Sequence, residues 1–536
     1  MNTKTNDKVL KKLKAIRERQ DLTLKKTAHL KDTFTGFDGT EIPLKLRYYQ
    51  VQGVLHLACM RRFLLGDDCG LGKTLQSIAA MCFLWENDPT LKVIILTNKS
   101  AVSQWQGEFE KFTSGITCFL SKGTPKKREK ILQDFQNHTG SPCVLIMGYR
   151  SAVRDYGQMQ DWNNYMVVYD EATAFKNPKT QVHQVCKFLG DRAERVWALT
   201  ATLIKNNLVE GWGIYRVVKG DLFPPTHNAF IRNYCITRLQ KIPRSNRQIM
   251  VVIGYRKDDI KRFRDIIDPY FIGRPKFAVA SELPTLTTKK IKFEMTRDQR
   301  FKYNEALQGL LEVENEDGER EEKEVTKLTA IIYCQQIVNH LHLLDSLESD
   351  KSAKLENLMD LLQGEFDGQK VIVFSRFRKM IDLIEPQLKK AKINHCRITG
   401  AEDEDQRRKS QKLFQDPTND TNVILITTAA AEAVNLQQAK AIIFYDSPWS
   451  AGDYIQILGR MIRIGSIHDN VFAIHLVAKD SIDERVMQVL NTKMKLIEKV
   501  IGKRIKGENM EDVEVASHND ISDLFESLMA DARGVK

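Results

Sequence analysis

Short apolar runs of strand length, each followed by a stretch of helical periodicity, occur in two sets along this chain. That pattern leaves few folds open. The first set comprises Val93-Ile94-Ile95-Leu96, Val144-Leu145-Ile146-Met147, Met166-Val167-Val168-Tyr169 and Val196-Trp197-Ala198-Leu199. None alternates with polar residues, so each reads as a strand buried on both faces, as in parallel sheets covered by helices. The pattern restarts at Val371-Ile372-Val373-Phe374. It continues through Val423-Ile424-Leu425-Ile426, Ala441-Ile442-Ile443-Phe444 and Val471-Phe472-Ala473-Ile474. A chain of 536 residues is too long for one hydrophobic core. The expected fold is α/β with two lobes, each a parallel β-sheet flanked by helices. No sequence repeat links the lobes beyond this shared architecture.

Between the sets, from Lys205 to Gln369, the strand signal fades and helical periodicity and charge take over, which predicts helical protrusions. The acidic run from Glu312 to Glu322 reads as a solvated loop or helix tip. A linker is expected near Ser281-Glu282-Leu283-Pro284, because proline breaks helices and strand character follows it. The resulting division is a basic arm (1–35), a first lobe with its protrusion (36–283), a second lobe with its insertion (284–480), and a C-terminal brace and tail (481–536).

Lys and Arg total 81 against 69 Asp and Glu, a formal charge of +12 that favours a polyanionic partner through counterion release. The segment Lys4 to Lys26 is dense in Lys and Arg, and reads equally as an arm on a phosphate backbone or as a solvated helix. Nine cysteines without a Cys-x-x-Cys spacing point to reduced thiols rather than a disulfide frame or zinc knuckle. His340 and His342, in an apolar stretch without a nearby Cys or carboxylate, read as packing residues. No run approaches the roughly 20 apolar residues of a membrane span, and the N-terminus lacks the apolar core of a secretory signal. The expected site of action is inside the cell: cytoplasm or nucleoid for a bacterial or viral protein, nucleus for a eukaryotic one.

The chemistry concentrates in a few blocks. Asp67-Asp68-Cys69-Gly70-Leu71-Gly72-Lys73-Thr74 follows the apolar Phe63-Leu64-Leu65 and opens a helical pattern at Leu75. Strand, glycine-rich turn and helix N-terminus is the context a phosphate loop needs. Gly70 and Gly72 let backbone amides approach phosphate oxygens, Lys73 reaches the β- and γ-phosphates, and Thr74 can hold Mg²⁺. Asp170-Glu171 closes a buried strand, with Asp170 as the second metal group and Glu171 polarising the attacking water. An isolated Asp-Glu pair would carry little; placed after a phosphate loop, it completes an ATP-hydrolysing set. Arg460 and Arg463 lie three apart, as on one helix face, and arginine stabilises a transferring phosphoryl group. Supplied by the second lobe, they make hydrolysis depend on lobe closure.

In this order, the blocks resemble the Swi/Snf-type ATPases, a branch of the superfamily-two helicases, in a minimal single-motor form. The branch's loop also begins with Asp. Leu46-Arg47-Tyr48-Tyr49-Gln50 resembles its adenine-reading motif, and Trp105-Gln106-Gly107-Glu108-Phe109 its Trp-x-x-Glu-Phe segment. Phe175-Lys176-Asn177 follows the acidic box. In the second lobe, Val373-Phe374-Ser375, Thr399-Gly400 with Arg407, Asn435-Leu436-Gln437, Tyr445-Asp446-Ser447-Pro448-Trp449 and the segment Gln456 to Gly465 are similar to later motifs. Ile482-Asp483-Glu484-Arg485-Val486 resembles the brace helix.

The resemblance implies two RecA-like lobes, ATP and Mg²⁺ as cofactors, and tracking along double-stranded DNA, with other DNA-bound proteins as further partners. No oligomeric state follows from the sequence, a monomeric motor being compatible with it, and no membrane partner is expected. It implies ATP contacts by Arg47, Gln50, Asp67, Gly70, Leu71, Gly72, Lys73, Thr74, Leu75 and Gln456. Catalysis falls to Lys73, Asp170, Glu171, Arg460 and Arg463. Grips on DNA fall to Asn98, Lys99, Trp105, Ser375, Arg376, Arg407, Thr427 and Asn435. Two blocks depart from the family: Thr200-Ala201-Thr202-Leu203 and Ala429-Ala430-Ala431-Glu432-Ala433 carry Ala where it has Gly, and Thr173 replaces a His. Ala disfavours positive φ, so coupling rather than catalysis is expected to change. Three readings remain open: a duplex-DNA translocase in repair, fork remodelling or protein displacement; a strand-separating DNA or RNA helicase; and a weakly hydrolysing, nucleotide-gated DNA-binding scaffold.

Overall fold

The computed structural model describes residues 3–35, 40–241, 248–279, 283–308, 312–314, 320–322, 327–344, 349–428, 434–463 and 466–502. The expected linker at Ser281-Glu282, the block Ala429 to Ala433, the end of the arginine segment at Ile464-Gly465 and the tail beyond 502 lie outside the described residues. Two compact units emerge: Met1–Tyr234 with Lys257–Val279, and Cys235–Arg256 with Ala280–Lys536.

A small antiparallel pair, β1 (Thr33–Thr35) and β2 (Glu41–Pro43), precedes the first sheet. That sheet is built from β3 (Arg62–Leu65), β4 (Lys92–Thr97), β5 (Thr117–Ser121), β6 (Cys143–Gly148), β7 (Tyr165–Asp170) and β8 (Arg195–Leu199). A hairpin follows, β9 (Ile236–Lys241) with β10 (Gln248–Gly254), and is assigned to the second unit. β11 (Phe271–Ile272) then returns to the first sheet as an edge. The order β11-β3-β8-β7-β4-β6-β5 is parallel throughout. The apolar runs read from sequence are its central strands, because both faces are covered and no polar residue is tolerated there.

The second sheet uses β12 (Thr285–Phe293), β15 (Val371–Phe374), β16 (His395–Ile398), β17 (Val423–Ile426), β18 (Ala441–Phe444) and β19 (Asn470–Ala478), in the parallel order β12-β19-β18-β15-β17-β16. The acidic run is not a helix tip: Glu312–Glu314 (β13) and Arg320–Glu322 (β14) pair antiparallel. The intervening region is mainly helical, yet it also holds β9 to β12. β12 escaped the apolar criterion because it is an edge strand carrying Lys289, Lys290 and Lys292, a composition that suits an unpaired edge.

Of the basic N-terminal segment, Thr3–Ile16 forms a helix. Leu13 is buried, and Val9, Leu10 and Ile16 pack on the first unit's core. Past its end, Arg17 donates to the Asp268 carboxylate at 2.9 Å and to the carbonyls of Asp268 at 2.7 Å and Phe271 at 3.0 Å.

Four histidines are buried among the described residues, His56, His183, His340 and His475, and two of them, His475 and His56, carry large pKa shifts. His475 stacks on Phe444 at 4.7 Å and lies 2.9 Å from the Ser447 hydroxyl, and burial lowers its pKa to about 3. Burial likewise lowers His56 to about 4, against an opposing hydrogen bond to the Gln52 carbonyl. Below pH ~6.5 the unfolded chain takes up protons that these folded imidazoles refuse. Their contribution is complete above that pH and is lost as pH falls towards 4 and then 3. We expect the denaturation midpoint to drop between pH 7 and 5, with a loss of about 1.4 kcal/mol per histidine by pH 5.5. Urea melts across that range test this, and a flat profile contradicts it.

Candidate nucleotide site

The loop between β3 and the helix Lys73–Trp85 curls through two left-handed glycines, Gly70 at φ +87° and Gly72 at φ +77°. The positive φ favours glycine at position 72, and a Cβ there would stand 2.6 Å from Gln50 Nε2 and push that amide aside. The Lys73 ammonium lies inside the curl, donating to the carbonyls of Asp67 at 2.8 Å and Asp68 at 3.3 Å. Thr74 follows in the first helical turn, half-buried, where backbone amides and the helix dipole favour an anion.

Gln50 lies in the helix Tyr48–Cys59. Its Oε1 accepts the Arg47 amide at 2.9 Å, and its Nε2 donates to the Leu71 carbonyl at 3.3 Å. The expected base-reading residue therefore also ties the start of its helix to the phosphate loop. Asp67, expected at the nucleotide, is fully buried. Its carboxylate accepts from Arg274 Nε at 2.8 Å, Arg274 Nη2 at 2.5 Å and Gln76 Nε2 at 3.0 Å. It faces inward because a buried charge needs a partner, and it shapes the loop rather than touching phosphate.

Asp170 ends β7, held in one orientation by three donors. Oδ2 accepts from the Thr97 hydroxyl at 2.9 Å and Trp105 Nε1 at 2.8 Å, and Oδ1 from the Glu171 amide at 3.0 Å. The Tyr149 hydroxyl binds the Asp170 carbonyl at 2.6 Å. Glu171 itself adopts φ 52°, ψ 59°, a left-handed conformation rare for a side-chain-bearing residue. Such strain costs about 1–3 kcal/mol and persists where surrounding structure fixes it.

This arrangement corrects one expectation. Trp105 is 2 % exposed, so it braces Asp170 instead of gripping DNA. Trp105→Phe should keep the ring's packing and lose the hydrogen bond. We expect kcat for ATP to fall about tenfold, the equivalent of about 1.4 kcal/mol, with KM changed little. Steady-state ATPase kinetics measure it, and a kcat within twofold of wild type contradicts it. Asn98 and Lys99, half-buried and exposed respectively, sit just beyond β4 on the same sheet edge as Asp170.

In the second unit, Gln456 and Arg460 lie on the helix Ala451–Met461, both largely buried. Arg463 does not share that helix, which ends at Met461; its Nε donates to the Gly459 carbonyl at 3.0 Å and caps the last turn. Ser375, also expected at DNA, is fully buried, its hydroxyl 2.5 Å from the Asp446 carboxylate. Burial pushes that carboxyl's pKa up, against hydrogen bonds from Ser375 and the Arg376 amide. Arg376 Nη1 donates to Gln335 at 3.1 Å. Thr427 is buried, and Arg407 and Asn435 are half-buried. Of the departing blocks, Thr200-Ala201-Thr202 is buried and closes on itself, the Thr200 hydroxyl accepting the Thr202 amide at 3.1 Å.

Arg274 and Thr97 carried no sequence signal. Arg274 lies 207 residues from its partner, and the one available clue was that an acidic loop opening after an apolar strand demands a cation.

A family model described as SNF2-related domain matches residues 48–343, and one described as helicase conserved C-terminal domain matches residues 353–465. The chain is similar to the ISWI chromatin-remodeling complex ATPase ISW1 of Saccharomyces cerevisiae, 25% identical over 485 residues that cover 85% of this chain and 40% of that protein. It is similar to the chromodomain-helicase-DNA-binding protein 1-like of Mus musculus, 27% identical, covering 85% and 50%. A probable ATP-dependent DNA helicase, CHR23, of Arabidopsis thaliana is 28% identical, covering 85% and 43%. The chain thus spans about half or less of these relatives' length. Among solved structures, the Sulfolobus solfataricus SWI2/SNF2 ATPase core in complex with dsDNA matches at a TM-score of 0.40 and 23% identity, covering 86% of this chain and 93% of that one. With the first model spanning more than half of its residues, the chain belongs to the SNF2-related family of helicase-like ATPases.

Proposed function

We propose that this protein is an ATP-driven motor on double-stranded DNA, hydrolysing ATP to move along the duplex and displace what is bound there. The observation that carries the reading is the first unit's site: Lys73 in a glycine-shaped loop, with Asp170 and Glu171 at the end of a strand in the same parallel sheet. In this reading Glu171 receives the proton of the water that attacks the γ-phosphorus, as the bond to the β-phosphate bridging oxygen breaks and ADP leaves. Lys73 and the loop amides stabilise the negative charge on the phosphates.

Thr74 and Asp170 fit a magnesium site. Asp170 keeps lone-pair capacity beyond the three hydrogen bonds it accepts. One carboxylate and a hydroxyl suit an ion that takes its other oxygens from phosphates and water. When bound, Mg²⁺ neutralises charge on the β- and γ-phosphate oxygens. Arg460 and Arg463 add positive charge from the second unit, so that turnover requires both units. The net charge of +12 favours the phosphate backbone. Lys99, Asn98, Arg376, Arg407, Thr427 and Asn435 are the proposed contacts. Displacement of DNA-bound protein accords with two relatives named as chromatin-remodeling complex ATPases.

ATPase rates with duplex DNA, single-stranded DNA and RNA at several salt concentrations test the reading. Duplex DNA should stimulate most, and stimulation should fall steeply with salt. Preference for single strands with strand release would instead identify a helicase. No response to any polymer would leave a nucleotide-gated scaffold.

A further inference from the structure

Arg274 saturates its hydrogen bonds at the phosphate loop. Nε and Nη2 clasp the two oxygens of Asp67 at 2.8 and 2.5 Å, and Nη2 also donates to Gln76 Oε1 at 3.1 Å. Nη1 donates to Gln52 Oε1 at 3.1 Å and to the Tyr49 carbonyl. All five N–H groups of the guanidinium are therefore used. Their acceptors lie on three separate pieces: the helix that carries Gln50, the opening of the phosphate loop, and the helix that begins with Lys73.

The backbone around Arg274 extends the same clasp. β11 pairs with β3, and the pairing continues past both strands: the Gly66 amide donates to the Ile272 carbonyl at 2.6 Å and the Asp68 amide to the Arg274 carbonyl at 3.1 Å. The Lys276 amide then donates to the Asp68 carboxylate at 2.9 Å. A Cβ on Gly70 would stand 3.5 Å from Lys276 Nζ. Space has been cleared for the guanidinium as well: a Cβ on Gly53 would stand 3.1 Å from Arg274 Nη2 and 1.8 Å from Gln76 Oε1.

We propose that Arg274 is a positioning residue for ATP, holding the base-reading helix and the phosphate loop in register so that one nucleotide meets both. The first unit ends at Val279, five residues beyond, so the same clasp anchors the segment that leads into the second unit. The inference rests on the nucleotide-site reading above and adds to it a residue outside the motifs.

The experiment titrates a fluorescent ATP analogue into the full-length wild type, Arg274→Lys and Arg274→Gln, with ATPase kinetics on each. Lysine restores the charge on Asp67 but cannot span the three pieces; glutamine removes both. Analogue affinity and ATP KM should weaken about tenfold in Arg274→Gln and about threefold in Arg274→Lys. In both, kcat at saturating ATP and the KM for duplex DNA should stay within threefold. A merely structural role would lower kcat and DNA affinity together with the folded fraction, and that result overturns the proposal, as does unchanged nucleotide affinity in a folded variant. If Arg274→Gln fails to fold, Arg274→Lys decides alone: affinity equal to wild type overturns the proposal. A wild type that does not bind the analogue overturns the nucleotide-site reading itself.

Discussion

Replacing Glu171 by glutamine is expected to slow ATP turnover about a thousand-fold while leaving ATP affinity within a few-fold. Loss of a positioned general base typically costs 10²–10⁴ in rate. Glutamine keeps the length and backbone preferences of glutamate, so the strained conformation at φ 52° and the amide that binds Asp170 should survive. What it removes is the carboxylate proposed to receive the proton. Affinity should persist because the proposed phosphate contacts are the loop and Lys73, which are unchanged. Single-turnover hydrolysis and analogue titration on the same preparation separate the two effects. Turnover within tenfold of wild type would assign the base to another residue. In the proposed motor reading, the variant should also hold ATP long enough to trap the protein on duplex DNA.

Arg460→Ala is expected to reduce hydrolysis by about 10³-fold, the lower end for loss of an arginine that stabilises a transferring phosphoryl group. ATP affinity should change little, since the phosphate loop lies entirely in the other unit. Arg460 is 8 % exposed on a helix whose Tyr454, Ile457, Leu458 and Met461 are core residues. A melt of the variant is therefore needed alongside, and a folded protein with unchanged kcat would break the claim that the two units share one reaction. Arg463→Ala should have the smaller effect, because its Nε already serves the carbonyl of Gly459.

These predictions separate what was legible in the sequence from what was not. The central strands were legible because burial on both faces forces runs such as Val93 to Leu96 and Val371 to Phe374 to be continuously apolar. The phosphate loop was legible because its glycines, lysine and threonine act locally, within one turn between a strand and a helix. Edge strands were harder. β11 has two residues, and β12 is lysine-rich, so neither carries a buried strand's composition. Side-chain direction was the least visible. Trp105 and Ser375 are spaced as surface groups beside functional motifs, yet both turn inward to hold carboxylates, Asp170 and Asp446. The end of the arginine helix at Met461 was missed because Arg460 and Arg463 at spacing three satisfy a helix face whether or not the helix continues. Arg274 was invisible because a pairing across 207 residues leaves no local trace.

That separation has a bearing on how the protein is made. The loop that opens with Asp67 leaves the ribosome long before Phe271, Ile272 and Arg274, which supply its neighbouring strand and its counter-charge. At about 5–20 residues per second the delay is roughly 10–40 s. Throughout that interval the nascent chain holds a glycine-rich loop beside an unpaired strand edge, with a carboxylate whose counter-charge does not yet exist. The phosphate loop therefore gains its neighbouring strand and its counter-charge only after translation has passed Arg274.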